Sequence, residues 1–395
     1  CECAQCKAVD DEQGTQAGSL IRFVNRIAKA FPDKYITTLA YGYTHRAPRT
    51  LKPESNVYVF LSNIDAYRDK PLATEPSAAA FRNDVKQWGA LTGNLFVWDY
   101  ITQFTNYLAP FPNLLTLQPN MQFYKENGIK GVFAQGSGDT YGEWAELRSY
   151  LTARLLNDCT LDVKPLTEEF LQNYYGPSAK QLLPYIGQLH GNLEESKRKL
   201  DIYGNPVNEW NSYLNPEKMD AYSQLWDGAE SIAENNSTYA ERVGRAHLSL
   251  EYAVLQQSKF YGIEKFGVFE KNDKGEWIIH PGLKEKVARF VANCKKAKVT
   301  ELSEGGLTPD AYQAEWNAIF AAGVTPSMAV GAAVTLLYPA AADYPAKGTR
   351  TLTDGNPGYN DFSYNWLCFY GTNMVATIDM GTAKNINGMK VHFLD

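Results

Sequence analysis

Four β-rich runs, interleaved with stretches of helical periodicity and, between the first two, with the proline-bearing loop HRAPRTLKP (45–53), constrain this chain more than any other feature. The runs are YITTLAY (35–41), VYVFLSN (57–63), LFVWDY (95–100) and GVFAQGS (131–137). GSLIRFVNRIAKAF (18–31) places apolar residues at 20, 24, 27 and 31, a helical period, and Pro32 follows. SAAAFRNDVKQWGAL (77–91) reads as a helix closed by Gly93, and PNMQFYKENG (119–128) as a short one stopped by Gly128. GEWAELRSYLTARLLND (142–158) is amphipathic. Strand and helix in alternation require crossover connections, which predicts a parallel sheet. Four such units are half of a (β/α)8 barrel. A half-barrel leaves strand edges open to mispairing. The expectation is therefore the C-terminal half of a TIM-type barrel, its first four strands encoded upstream.

Beyond the barrel the texture changes twice. From about 160 to 322 no strand pattern is visible, and helical patterns follow one another, such as LTEEFLQNYYG, PEKMDAYSQLWDGAESIAEN and LKEKVARFVANCKKAK. They predict an α-helical domain without a fixed repeat. After about 323 a small-residue, proline-rich linker leads into short alternating runs, MVATIDM and MKVHFL, divided by turn residues. That is the start of a β-sandwich. The division expected is 1–158 partial barrel, 159–322 α-helical domain, and 323–395 linker with a truncated sandwich.

Bulk properties narrow the partners. The 395 residues suggest two or three domains, and 44% hydrophobic with 21% charged residues is a soluble globular composition. A net charge of -6 without a basic stripe argues against nucleic acid. No run of 18 apolar residues exists, so no membrane span is expected. Aromatics reach 13%, with 25 Tyr and 8 Trp, which suits sugar stacking as well as core filling. Cys1, Cys3 and Cys6 lie close enough in CECAQC to hold zinc with a fourth ligand. A second CxxC or a His pair is missing, and His45, His190, His247, His280 and His392 are dispersed. An exposed loop is the reading there, with no metal or cofactor expected. The chain opens on Cys1 without Met or signal peptide, which reads as a piece of a longer precursor.

Chemistry is expected where strands end. VYVFLSNID delivers Asn63 and Asp65, and LFVWDY delivers Trp98, Asp99 and Tyr100. Glycoside cleavage needs two carboxyl groups, about 5–5.5 Å apart for retention and about 6.5–9.5 Å for inversion. Neighbouring strands lie about 4.8 Å apart, so Asp65 and Asp99 suit either spacing. Asp99 could equally cap the next helix. Trp98, Tyr100, Tyr41 and Tyr43 are candidates for a sugar platform, with core packing as the alternative. Gln135 and Glu143 are candidate substrate contacts; Glu143 could instead start a helix, where a carboxylate favours the macrodipole. Arg46 and Arg49 could grip a uronic-acid carboxylate.

The order of CECAQC, NVYVFLSNIDAYRDKPL, LFVWDYITQFTNYLAPFPNL, GVFAQG and ELRSYLTARLLND resembles the domain of unknown function 4838 family, best over roughly 1–180. That family occurs mainly in polysaccharide-degrading gut bacteria and is distantly similar to family 67 α-glucuronidases. The resemblance implies that Asp65 and Asp99 fall where those enzymes keep candidate general bases. It implies that their general acid, a Glu, falls at or just before Cys1. Two departures stand out: Asp99 replaces a Glu, and Lys70 replaces a His usual before Pro-Leu. The C-terminal LTDG…NW…G…IDMG…I resembles the first half of a discoidin (coagulation-factor type C) sandwich, often a carbohydrate-binding module. Together these imply a piece of a glycoside hydrolase-like, α-glucuronidase-like protein. It would act on a polysaccharide or oligosaccharide and be secreted, periplasmic or on the outer-membrane surface. The alternative is a non-catalytic glycan-binding protein on the same scaffold.

Overall fold

The computed structural model describes residues 1–325 and 327–394. Pro326, in the expected linker, and Asp395, the last residue of the expected sandwich, lie outside the described residues. The chain forms two compact units, one of Cys1–Phe104 with Phe111–Tyr203, the other of Thr105–Pro110 with Gly204–Asp395.

In the first unit, helices α1 (Ala4–Gln13) and α2 (Ala17–Ala30) precede strands β1 (Ile36–Ala40) and β2 (Val57–Ser62). Then come α3 (Ala79–Leu91), β3 (Leu95–Tyr100), α4 (Leu114–Glu126), β4 (Gly131–Gln135), α5 (Ala145–Asn157), α6 (Val163–Tyr175) and α7 (Ala179–Ser196). The strands form one sheet in the order β1-β2-β3-β4, every pair parallel. Parallel neighbours follow from the crossovers that return the chain to the same end, through α3 and α4 for β2–β3 and β3–β4 and through a long loop for β1–β2. Valine and leucine fill one face of the two central strands: Val57, Val59, Leu61, Leu95 and Val97 are all buried. α3 covers that face, and a Cβ added at Gly89 would meet Leu95 Cδ1 at an ordinary contact distance of 3.9 Å.

Three elements depart from the sequence expectation. α1 runs straight through the residues read as a loop. It lacks an apolar stripe, so periodicity is blind to it. Its start is open to solvent, and its far end is tied down by polar contacts: Thr50 and Leu51 N–H donate to Gln13 Oε1 (3.0 Å each), and Ser19 N–H donates to Asp10 (2.7 Å). α4 begins five residues before Pro119 instead of at it. Proline in a helix removes one N–H bond; the carbonyl left over belongs to Leu115, an exposed residue whose carbonyl water can serve. α5 starts later than expected because Trp144 takes a left-handed backbone (φ 51°), which leaves Glu143 in the preceding turn.

The second unit is built from α8 (Pro216–Ala233), α9 (Ser237–Tyr261), β5 (Phe269–Lys271), β6 (Trp277–Ile279), α10 (Leu283–Lys296), α11 (Pro309–Ala322), β7 (Ala333–Leu336) and β8 (Ala376–Asp379). The β5–β6 hairpin corrects the expectation of an unbroken helical stretch to 322. Its turn is KNDKGE, where Asn272 Oδ1 accepts from Lys274 and Glu276 N–H (3.0 Å each) and Gly275 supplies the positive φ. α9 is buried on every side in its last turns, as a central helix must be. A relay threads this core: Tyr312 OH donates to Gln256, Gln256 to Tyr252, and Tyr252 to Asn106 (3.0, 3.0 and 2.6 Å). Beside it Lys259 is buried, paired with Glu315 (3.1 Å) and 4.5 Å from the Tyr312 ring centre. β7 and β8 pair antiparallel, whereas 389–394, expected as a strand, has no regular structure.

Candidate active site at the strand ends

Strand side chains alternate between faces, and this sorts the expected site residues. Register places Ser62 beside Trp98, Trp98 beside Phe133, and Tyr100 beside Gln135. These residues share the half-exposed face with Tyr58, Phe60 and Phe96. Its rings interlock: Phe60 meets Phe96 edge-on (4.9 Å), and Trp98 meets Phe133 (4.7 Å). Trp98 Nε1 donates to Gln135 Oε1 (2.6 Å), and the Tyr100 and Ser62 hydroxyls share a bond of 3.2 Å.

Asp99 lies on the other face, the one that helices cover, and is 2% exposed. Asn63 Nδ2 donates to its Oδ1 (2.7 Å), as does Tyr100 N–H (2.9 Å). Asn63 Nδ2 also donates to Tyr124 OH on α4 (2.9 Å). Burial, then the charge of Asp99, holds the Tyr124 hydroxyl well above its ordinary pKa, so it stays protonated. Arg68, itself buried, completes the cluster. Its Nη2 donates to Asn63 O and Oδ1 (3.0 Å each), its Nε to Tyr100 O (2.9 Å), and its Nη1 to Ala66 O. The Asn63 amide thus bridges a guanidinium and a carboxylate, with all its hydrogen-bonding groups used.

The cluster wraps the turn that carries Asp65. Asp65 is exposed, and Ala66 N–H closes the turn on Asn63 O (3.0 Å). The structure therefore brings together Asn63 and Asp99, but on the side away from Trp98, Tyr100 and Gln135. Asp65 and Asp99 sit in opposite environments, one in water and one under helices. Tyr43 and Tyr41 are exposed on the short turn after β1. Arg46 and Arg49 are exposed, and Arg49 Nη1 donates to Glu12 O (3.2 Å).

Glu143 was expected at a substrate or at a solvated helix start, and the structure corrects the second expectation. It is buried against Arg148, which also binds Asn113 Oδ1, Ile101 O (3.0 Å) and Phe111 O (2.6 Å). Burial raises the Glu143 carboxyl above its usual range, and Arg148 pulls it partly back. A carboxylate so enclosed holds the residues after β3 in place. The neighbouring His190 accepts from Leu114 N–H at Nε2 (3.2 Å) and, at Nδ1, faces Ile186 O (2.8 Å).

Sequence reasoning missed Arg68, Tyr124 and the pair His45–Asp84. His45 Nδ1 lies 2.6 Å from Asp84 on α3, and burial raises the Asp84 carboxyl although His45 opposes it. Arg68 carried no signal in the sequence, because its burial and its partners Asn63, Ala66 and Tyr100 are set by the fold. Among the described residues, Cys1, Cys3 and Cys6 form the one cluster with ligand atoms placed for a metal.

Residues 1–188 match a domain of unknown function, DUF4838. The DUF4838 stretch contains the whole parallel sheet, the Arg68 cluster and the Glu143–Arg148 pair. No curated protein matches the chain. Among the described residues, no helix is long and apolar enough to cross a membrane.

Proposed function

We propose that the four parallel strands are the C-terminal half of a (β/α)8 barrel in a secreted or surface-exposed glycoside hydrolase-like protein. Substrate would meet the C-terminal strand ends, where barrel enzymes keep their chemistry. The half-exposed aromatic face fits this reading, since the missing half of a barrel would cover it. Asp65 is the reacting carboxylate in this account, as general base or nucleophile. The observation that carries it is the pinned turn: an exposed carboxylate held by a buried, fully bonded cluster. Such a support keeps a reacting group in place without blocking it. Asp99, shielded from solvent, is then a positioning residue whose charge orders Asn63, Tyr124 and Arg68. Trp98, Tyr100 and Gln135 are the candidate sugar contacts. The C-terminal residues that resemble a discoidin sandwich would add carbohydrate binding.

A second reading, non-catalytic glycan binding, has its own support. Phe96, Trp98, Tyr100 and Phe133 offer stacking area on the open face without any chemistry. Hydrolysis of aryl glycosides and glucuronoxylan oligosaccharides decides between the two. Turnover that falls about a thousandfold in Asp65→Asn, with binding kept, supports the hydrolase. Saturable binding without turnover on any substrate supports the binding protein.

A further inference from the structure

We propose that Cys1, Cys3 and Cys6 form a thiolate site for a soft divalent metal ion of the zinc type. The three Sγ atoms lie within 4.8 Å of one another, and all three cysteines are free. A tetrahedral zinc with Zn–S of about 2.3 Å needs its sulfurs about 3.8 Å apart. Cys1 and Cys3 are exposed, so their side chains have room to rotate toward that spacing.

The backbone explains why the sulfurs meet. Cys3 precedes α1 in an extended conformation (φ -66°, ψ 154°), and Cys6 lies in the first turn. Residues three apart across a helix start face the same side. Cys1, two residues back on an extended segment, returns to that side. The result is a triad at the open end of a helix whose other end is fixed through Gln13 and Asp10. Three thiolates around a divalent cation carry a net charge of about -1. That charge sits at a helix N-terminus, where a negative group is favoured. Sulfur-only coordination selects a soft or borderline ion over magnesium or calcium. With three protein ligands the fourth position stays open to water or an exchangeable ligand.

The site is independent of the strand-end proposal and is tested without an activity assay. Reduced, metal-free protein is titrated with Zn(II), and bound metal and released protons are measured. One zinc per chain is expected, with protons released as the thiols ionise and all three cysteines protected from alkylation. Cys3→Ser and Cys6→Ser should each weaken binding by at least about a hundredfold while circular dichroism is unchanged. Because these positions are exposed or half-buried, the variants fold. Binding that survives both substitutions would overturn the triad and leave only Cys1. A Cys3–Cys6 disulfide in the isolated protein, with no zinc uptake after reduction, would overturn it in favour of a redox pair.

Discussion

His190 should make the first unit acid-sensitive in a way that one substitution removes. Burial, with Arg148 adding to it and the Ile186 carbonyl opposing it, lowers the imidazole from 6.5 to about 4. Between those values the unfolded chain binds a proton that the folded chain refuses, so stability rises with pH across that window. The contribution is complete above about pH 6.5 and is lost as pH falls toward 4. A gap of about 2.5 units at about 1.4 kcal/mol each gives a loss of up to about 3.5 kcal/mol. Glutamine is the informative replacement, because its oxygen can accept from Leu114 N–H and its amide can donate to Ile186 O. Urea unfolding of both proteins at pH 7, 5.3 and 4 isolates the effect in the difference between them. Wild type should lose ground to His190→Gln by about half of the total at pH 5.3 and by most of it at pH 4. Parallel stability–pH curves would refute the reasoning, since they would mean that the imidazole is free to protonate in the fold.

Arg148→Met strands the Glu143 carboxylate and several carbonyls, and should cost about 3–5 kcal/mol at pH 7. Because burial already raises that carboxyl, the defect should shrink as pH falls toward the ordinary glutamate range, which melting curves at pH 7 and 4.5 would show. Asn63→Ala removes the bridge between Arg68 and Asp99 and should cost about 3 kcal/mol in chemical denaturation. Lys259→Met should destabilise at pH 7, though less than Arg148→Met, because the Glu315 it leaves unpaired is partly exposed to water. Burial lowers the ammonium more than Glu315 restores it. Wild type should gain on that variant as pH rises toward 10.5, since there the unfolded chain holds the extra proton.

The parallel sheet was legible because four β-rich runs were interleaved with helical periods, and each strand appears within a residue or two of its run. α1 was not legible, because it lacks an apolar stripe and is held by Glu12 and Gln13 through contacts with Arg49, Thr50 and Leu51, far along the chain. The strand-end site was half legible. LFVWDY announced a carboxylate between two aromatics, but adjacent residues of a strand face opposite ways. Asp99 therefore cannot share a face with Trp98 and Tyr100, an inference open to period-2 reasoning from the start. The Arg68 cluster joins a turn, two strands and α4, and the Glu143–Arg148 pair depends on the left-handed Trp144. Neither arrangement has a local signature. The three cysteines were visible as spacing, yet only the start of α1 brings their sulfurs together.

The central claim is a division of labour between two strand-end aspartates, and paired measurement of turnover and melting in Asp65→Asn and Asp99→Asn tests it most directly. The account predicts that Asp65→Asn keeps the wild-type melting temperature and loses kcat by about a thousandfold. Asp99→Asn should melt lower, because Asn63 and Tyr124 lose a buried charged acceptor. Its residual kcat per folded molecule should exceed that of Asp65→Asn. The reverse pattern, with Asp99→Asn stable and inactive and Asp65→Asn fully active, would contradict it.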